Sequence, residues 1–229
     1  MKTVVDVLWY CWIASGIAFI FLLGCQGYEA YSEAQLLKQL GKDETERFLA
    51  NQGQAEISLI NIERVLVLDG NINRKSIEKA KHYYQAIPWQ IRKQFAEDGW
   101  KLVITDKDIS SVYYNGPIKG ELAGLTDTNT KSIYIHEKRH HIRKAFLHEF
   151  GHYLDYQNDF ISGSDKLRTY FQREKSVFDR KWKPDTHAMS NAAEFFAESF
   201  QQFVLDPKTC KTHQPLTYRF IAQLMKETL

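Results

Sequence analysis

The sequence is poor in cysteine. It holds three in 229 residues, and Cys11 and Cys25 lie within or at the end of an apolar N-terminal run. Only Cys210 remains for the rest of the chain, which excludes an internal disulfide there and a cysteine-rich zinc site. Glycine and proline are also scarce, at 12 and 5, so collagen-like and Pro/Gly-rich disordered chains are excluded. Neither sign of charge dominates: 30 basic and 28 acidic side chains leave +2, too even a balance to argue for a nucleic acid or an acidic polymer as partner. No repeat of fixed period is visible. What is present, 44% hydrophobic and 25% charged residues, suffices for one sizeable core.

The first 25 residues differ from the rest. Val7 to Leu23 is a 17-residue stretch without charge, rich in aromatics and preceded by Lys2 and Asp6. This length falls between a signal-peptide core and a full membrane span, and the compositional contrast predicts membrane targeting. The run ends Leu22-Leu23-Gly24-Cys25, which resembles a bacterial lipobox with Cys25 as the lipidated residue. An uncut anchor and simple secretion are the alternatives, and Asp6 weakens the usual basic start. The expected location is extracytoplasmic and membrane-associated, and a core free of disulfides fits a bacterial surface protein.

Residues 26–57 are polar with scattered leucines and read as a linker carrying a stalk helix over Glu33–Leu49. Ile57–Leu68 is apolar and β-branched, predicting a buried strand that ends at Asp69-Gly70. Helical spacing follows over Ile77–Ala86, and Pro88 suits the first turn of a second helix reaching about Ala96. Strands are predicted at Lys101–Thr105, Leu122–Leu125 and Ser132–His136, the last two joined as a hairpin through residues 126–130. Beyond about Lys138 the strand signal vanishes, and helical patterns cover 140–157, 165–181, 191–205 and 214–227. Strands early and helices late predict an α+β fold with a small mixed sheet.

Within the first of those helices lies His148-Glu149-Phe150-Gly151-His152, an HExxH motif. Histidines four apart share a helix face and can share one metal ion. Glu149, turned about 100° from His148, is better placed to reach a metal-bound water than the metal itself. A zinc hydrolase needs both an ion that acidifies water and a carboxylate that takes the proton. Gly151 costs about 1 kcal/mol in a helix interior, and close approach of another segment is one reason to keep it. A second element, residues 190–200, carries Asn191 as a helix cap and Glu194 and Glu198 one turn apart. Two such carboxylates repel when exposed, and a nearby cation relieves that cost. On this helix alone, a capping Glu194 and a solvated Glu198 are an equal alternative. Beside HExxH they supply the further protein ligand that a zinc site needs.

HEFGHYLDY followed 42 residues later by AEFFAESF resembles the catalytic domain of anthrax toxin lethal factor and the related Pro-Pro endopeptidases, within the zincin metalloproteases. Residues 120–124 (GELAG) resemble the family's strand leading into the site, and residues 214–221 its closing helix, so the likeness runs from about Ile57 to the end. It implies a zincin-like catalytic domain over 58–229 and one zinc ion held by His148, His152 and Glu194. Glu149 would be the base, and Glu198 would hold a ligand histidine by its outer N–H. Asp155, a turn past His152, is a weaker candidate for a similar supporting role. The implied partner is a protein or peptide, lying extended against the strand at Leu122, Ala123 and Gly124. One branch of the resemblance implies a preference for proline around the scissile bond. The sequence departs from the family at one point: the Tyr expected seven residues before the third ligand is His187, an alternative donor to the oxyanion or simply a loop residue.

Other side chains carry less. His140 and His141 read as a solvated helix start, and Trp100, Tyr113 and Tyr114 as packing residues rather than a substrate cleft. Lys138, Arg139, Arg143 and Lys144 form a basic cluster near the motif that could favour acidic substrate flanks. The resulting expectation is a zinc metalloendopeptidase. A catalytically silent, zinc-holding interaction domain of a surface lipoprotein is the alternative.

Overall fold

The computed structural model describes residues 61–114, 120–182 and 189–227. The leader with Cys25, the linker and His187 lie outside these. Among the described residues no helix is long and apolar enough to cross a membrane.

The described part begins with a 3₁₀ turn, Ile62–Arg64, then strand β1, Leu66–Asp69. Helices α1 (Arg74–Ala86) and α2 (Trp89–Glu97) lead to β2 (Lys101–Thr105), a short α3 (Ile109–Val112), and the hairpin β3 (Gly124–Asp127) and β4 (Ser132–His136). The remainder is helical: α4 (Arg139–Gln157), α5 (Asp165–Trp182), α6 (Ala192–Leu205), α7 (Pro207–His213) and α8 (Pro215–Glu227). The sheet order is β1-β2-β4-β3; β1–β2 and β2–β4 run parallel and β3–β4 antiparallel. This is a mixed α+β fold, mostly helical, with one small sheet. The two helices expected between the first strands are present, and α1 and α2 make the crossover between the parallel β1 and β2.

Three boundaries differ from expectation for local reasons. Within the described part of the predicted strand Ile57–Leu68, from residue 61 on, the strand begins only at Leu66 and runs to Asp69, because Asn61 caps the 3₁₀ turn through its bond from Glu63 N (3.3 Å), and the charged Glu63-Arg64 pair interrupts the apolar run. The first strand of the hairpin shifts by two residues, while the second, Ser132–His136, stands where it was expected. Asp127 accepts from Asn129 N (2.9 Å) and Thr130 Oγ1 (2.8 Å), and Lys131 takes φ 49°, so the turn starts at Asp127 and the strand at Gly124. Leu122 and Ala123 therefore precede β3, although the Ala123 carbonyl still accepts from His136 N at 3.0 Å. Helix α7 was not expected from periodicity, yet its signal is local: Asp206 caps it from one side and Pro207 opens it.

The core is aromatic. Tyr83, Phe95, Trp100, Phe146, Phe150 and Tyr153 are fully buried, and Trp100 meets Phe95 and Tyr153 edge-on or tilted at 5.0–5.8 Å between ring centres. Trp100 is thus a core residue. Helix α4 runs through this core, with β3, β4 and α1 packed on it and α6 crossing against it. Gly151 sets that crossing: a Cβ there would lie 2.5 Å from Ala197 Cα and 2.8 Å from its carbonyl oxygen. The backbones meet directly, which gives the helix-interior glycine the reason its cost demands. Replacement Gly151→Val is expected to destabilise the fold by about 2–3 kcal/mol through overpacking, outweighing any gain in helix propensity. A thermal melt should show Tm lower by about 5–10 °C; an unchanged Tm would contradict this packing.

Candidate metal centre

Because α6 lies against α4, Glu194 and Glu198 reach the two motif histidines. Glu194 Oε2 stands 3.1 Å from His148 Nε2 and 3.4 Å from His152 Nε2, and the two Nε2 atoms are 3.1 Å apart. Asn191 Oδ1 accepts from Ala193 N (2.9 Å) and Glu194 N (3.0 Å), so the helix end is capped by Asn191 while the Glu194 carboxylate faces the histidines. On the far side of the ring, His148 Nδ1 meets Glu198 Oε2 at 3.2 Å. Glu198 is itself held, its other oxygen accepting from Gln201 Nε2 (2.9 Å) and Gln202 Nε2 (3.1 Å). Pairing Nδ1–H with Glu198 assigns the tautomer that leaves the His148 Nε2 lone pair aimed at His152 and Glu194.

The donor set fits a small divalent ion. Around a tetrahedral zinc with bonds of about 2.0–2.1 Å, neighbouring donors stand about 3.3 Å apart, and the three separations here are 3.1, 3.1 and 3.4 Å. Two Nε2 lone pairs directed at one point repel unless a cation or a proton lies between them. Without an ion, protons take that place. Burial opposes charge on His148, but bonds to Glu194 and Glu198 outweigh it and hold the imidazole pKa up at about 10. Burial likewise works against the Glu194 carboxylate, yet its bonds to His148 and His152 keep it well below the usual carboxylate range.

Glu149 is buried, at 7% exposure, on the flank of α4 that faces β3. Its Oε2 accepts from Thr126 Oγ1 at 2.8 Å. Gly124, two residues earlier on the same strand face, makes room: a Cβ there would lie 2.7 Å from Glu149 Cγ and 2.8 Å from its Oε1. Of the expected substrate-facing residues, Gly124 thus abuts Glu149, whereas Leu122 and Ala123 lie before the strand. Thr126, expected in the turn, lies within β3, and this register brings it to Glu149.

Asp155 does not join the histidines. It is buried, and both its oxygens are engaged by Ser162, from N at 2.7 Å and Oγ at 2.6 Å, so it pins the turn after α4. His141 is not solvated either. It lies buried beside His136, with ring centres 5.1 Å apart, and both face Glu121. This second trio resembles a metal site in composition, but its wiring differs. Lys138 N donates to His136 Nδ1 at 3.2 Å, which puts the ring proton on Nε2, the atom facing Glu121 at 3.8 Å. The Lys138 ammonium is already paired with the Glu121 carboxylate. Burial, then the neighbouring Lys138 charge, lowers the His136 pKa; burial, then His140, lowers that of His141. Glu121 is therefore an ion-paired carboxylate beside neutral imidazoles.

If the Glu198 bond sets the His148 tautomer, Glu198→Ala should weaken divalent-metal affinity about 10- to 100-fold. A zinc titration against a competing chelator measures this, and an unchanged affinity would deny the role.

The family model of the anthrax toxin lethal factor N- and C-terminal domain matches residues 54–224. Among solved structures, the chain is similar to the Pro-Pro endopeptidase PPEP-2 of Paenibacillus alvei, with 23% identity, a TM-score of 0.58, and 71% of this chain and 98% of that one covered. No curated protein matches the chain in sequence.

Proposed function

From the premise that the chain belongs to the anthrax toxin lethal factor family, we propose that it is a zinc-dependent metalloendopeptidase acting at the extracytoplasmic face of a bacterial membrane. The observation that carries this reading is the convergence of His148 Nε2, His152 Nε2 and Glu194 Oε2 to within 3.1–3.4 Å, with the buried Glu149 next to the first ligand in sequence.

In this reading His148, His152 and Glu194 hold one zinc ion. When bound, the ion supplies the Lewis acidity that makes a water acidic and a peptide carbonyl electrophilic. Glu149 takes the proton of the attacking water and returns it to the departing amine nitrogen. Glu198 keeps His148 in the tautomer that presents Nε2. His187 donates to the developing oxyanion in place of the family's Tyr. The substrate lies extended along β3, whose outer edge is unpaired among the described residues and so offers backbone donors and acceptors to a peptide. The similarity to a Pro-Pro endopeptidase makes proline around the scissile bond the first preference to test.

A digest of a proline-enriched peptide library by the full chain in detergent tests the enzyme. Cleavage is expected to stop with a zinc chelator and with Glu149→Gln, the latter with zinc still bound. His187→Ala should lower turnover about 100-fold, as loss of one oxyanion donor does; full turnover in that variant would remove His187 from the mechanism. Zinc uptake without cleavage by any peptide would favour the silent interaction domain.

The leader reading is tested separately. Residues 1–25 direct the chain to the membrane, and Cys25 carries the lipid. Cys25→Ser is expected to shift the protein's mass in cells and to release it from lipid processing. A variant whose processing is unchanged would mean an uncut anchor or simple secretion.

A further inference from the structure

We propose that Thr126 is a positioning residue for Glu149, so that the edge strand β3 orients the proton acceptor as well as offering a peptide its backbone. This rests on the peptidase reading above and adds a residue that neither the motif nor the charge pattern singles out.

The argument starts from register. Gly124 and Thr126 are two apart on a strand and present the same face to α4. The first leaves a notch: a side chain there would meet Glu149 Cγ at 2.7 Å, Glu149 Oε1 at 2.8 Å and Ala145 Cβ at 2.9 Å. The second supplies a hydroxyl, 2.8 Å from Glu149 Oε2 and 3.0 Å from the Glu149 main-chain oxygen. One hydroxyl proton cannot serve both acceptors fully. The carboxylate oxygen is the nearer of the two acceptors.

With Oε2 committed to Thr126, the carboxylate plane is fixed and Oε1 keeps its lone pairs for a proton. A glutamate three bonds from the backbone would otherwise sample several rotamers. Fixing it costs nothing at the moment of reaction, because β3 is already tied to β4 through the pairs Gly124–Ile135, Leu125–Tyr134 and Thr126–Ile133. The short hairpin turn held by Asp127 secures this register. A slip by one residue would turn Thr126 away from α4.

The test compares Thr126→Val, which keeps the shape and removes the hydroxyl, with Thr126→Ser, which keeps the hydroxyl. Steady-state kinetics use the full chain in detergent and the best-cleaved peptide of the library digest. Thr126→Val is expected to lower kcat about tenfold with KM within about twofold and zinc content unchanged, and Thr126→Ser to recover most of that loss. A structural role alone would show as a lower Tm, a changed KM or lost zinc, and would not distinguish the hydroxyl. The role is overturned if Thr126→Val keeps the parental kcat, if Thr126→Ser is as slow as Thr126→Val, or if the loss falls on KM or zinc content. A parent chain without chelator-sensitive cleavage overturns the peptidase reading itself, and this role with it. An active parent with an unaffected Thr126→Val overturns the role alone.

Discussion

Everything in the centre depends on two helix backbones touching. Helix α4 carries the histidines and α6 the carboxylates, and side chains of ordinary size at the crossing would hold the axes apart at the usual 8–10 Å. Gly151 removes the obstacle, and Ala197 is the small residue that meets it. The crossing point lies between His148 and His152 on one helix and between Glu194 and Glu198 on the other. The four polar side chains therefore flank it and close around a shared space, while Phe146, Phe150, Phe196 and Phe200 seal the apolar side.

On the opposite flank of α4 the sheet plays a comparable part. Strand β3 approaches closely at Gly124 and grips at Thr126, so the same helix is read by two partners. One completes the trio of His148, His152 and Glu194 and the other addresses Glu149. The motif's internal geometry, a helix with ligands four apart and an acid turned aside, divides these roles between the two neighbours.

Much of this was legible in the sequence where the signals are local. HExxH spacing, the Asn191 cap, the β2 strand and the late helices depend on neighbours within a few residues, and the structure has them close to where the pattern places them. The oddity of Gly151 offered close approach of another segment as one reason for a glycine there, and Ala197 supplies it. The misreadings share one cause, a partner distant in sequence or a turn whose side chains set the register. Asp155 looked like a neighbour of His152, but Ser162 claims both its oxygens. His141 looked solvated, but His136 and Glu121 cover it. Thr126 looked like turn filler, but Asp127, gripping Asn129 and Thr130, delays the turn and leaves Thr126 within β3. His187 sits in a stretch outside the described residues, where only the motif spacing speaks.

The Glu194 and Glu198 pair enters the chain long after the histidines it must meet. A partly synthesised or unfolded polypeptide therefore has two isolated imidazoles, and the three donors stand together only once α6 has docked on α4. Assembly of the cluster and docking of α6 are then the same event. A fragment that stops short of α6 keeps the HExxH helix but not the cluster.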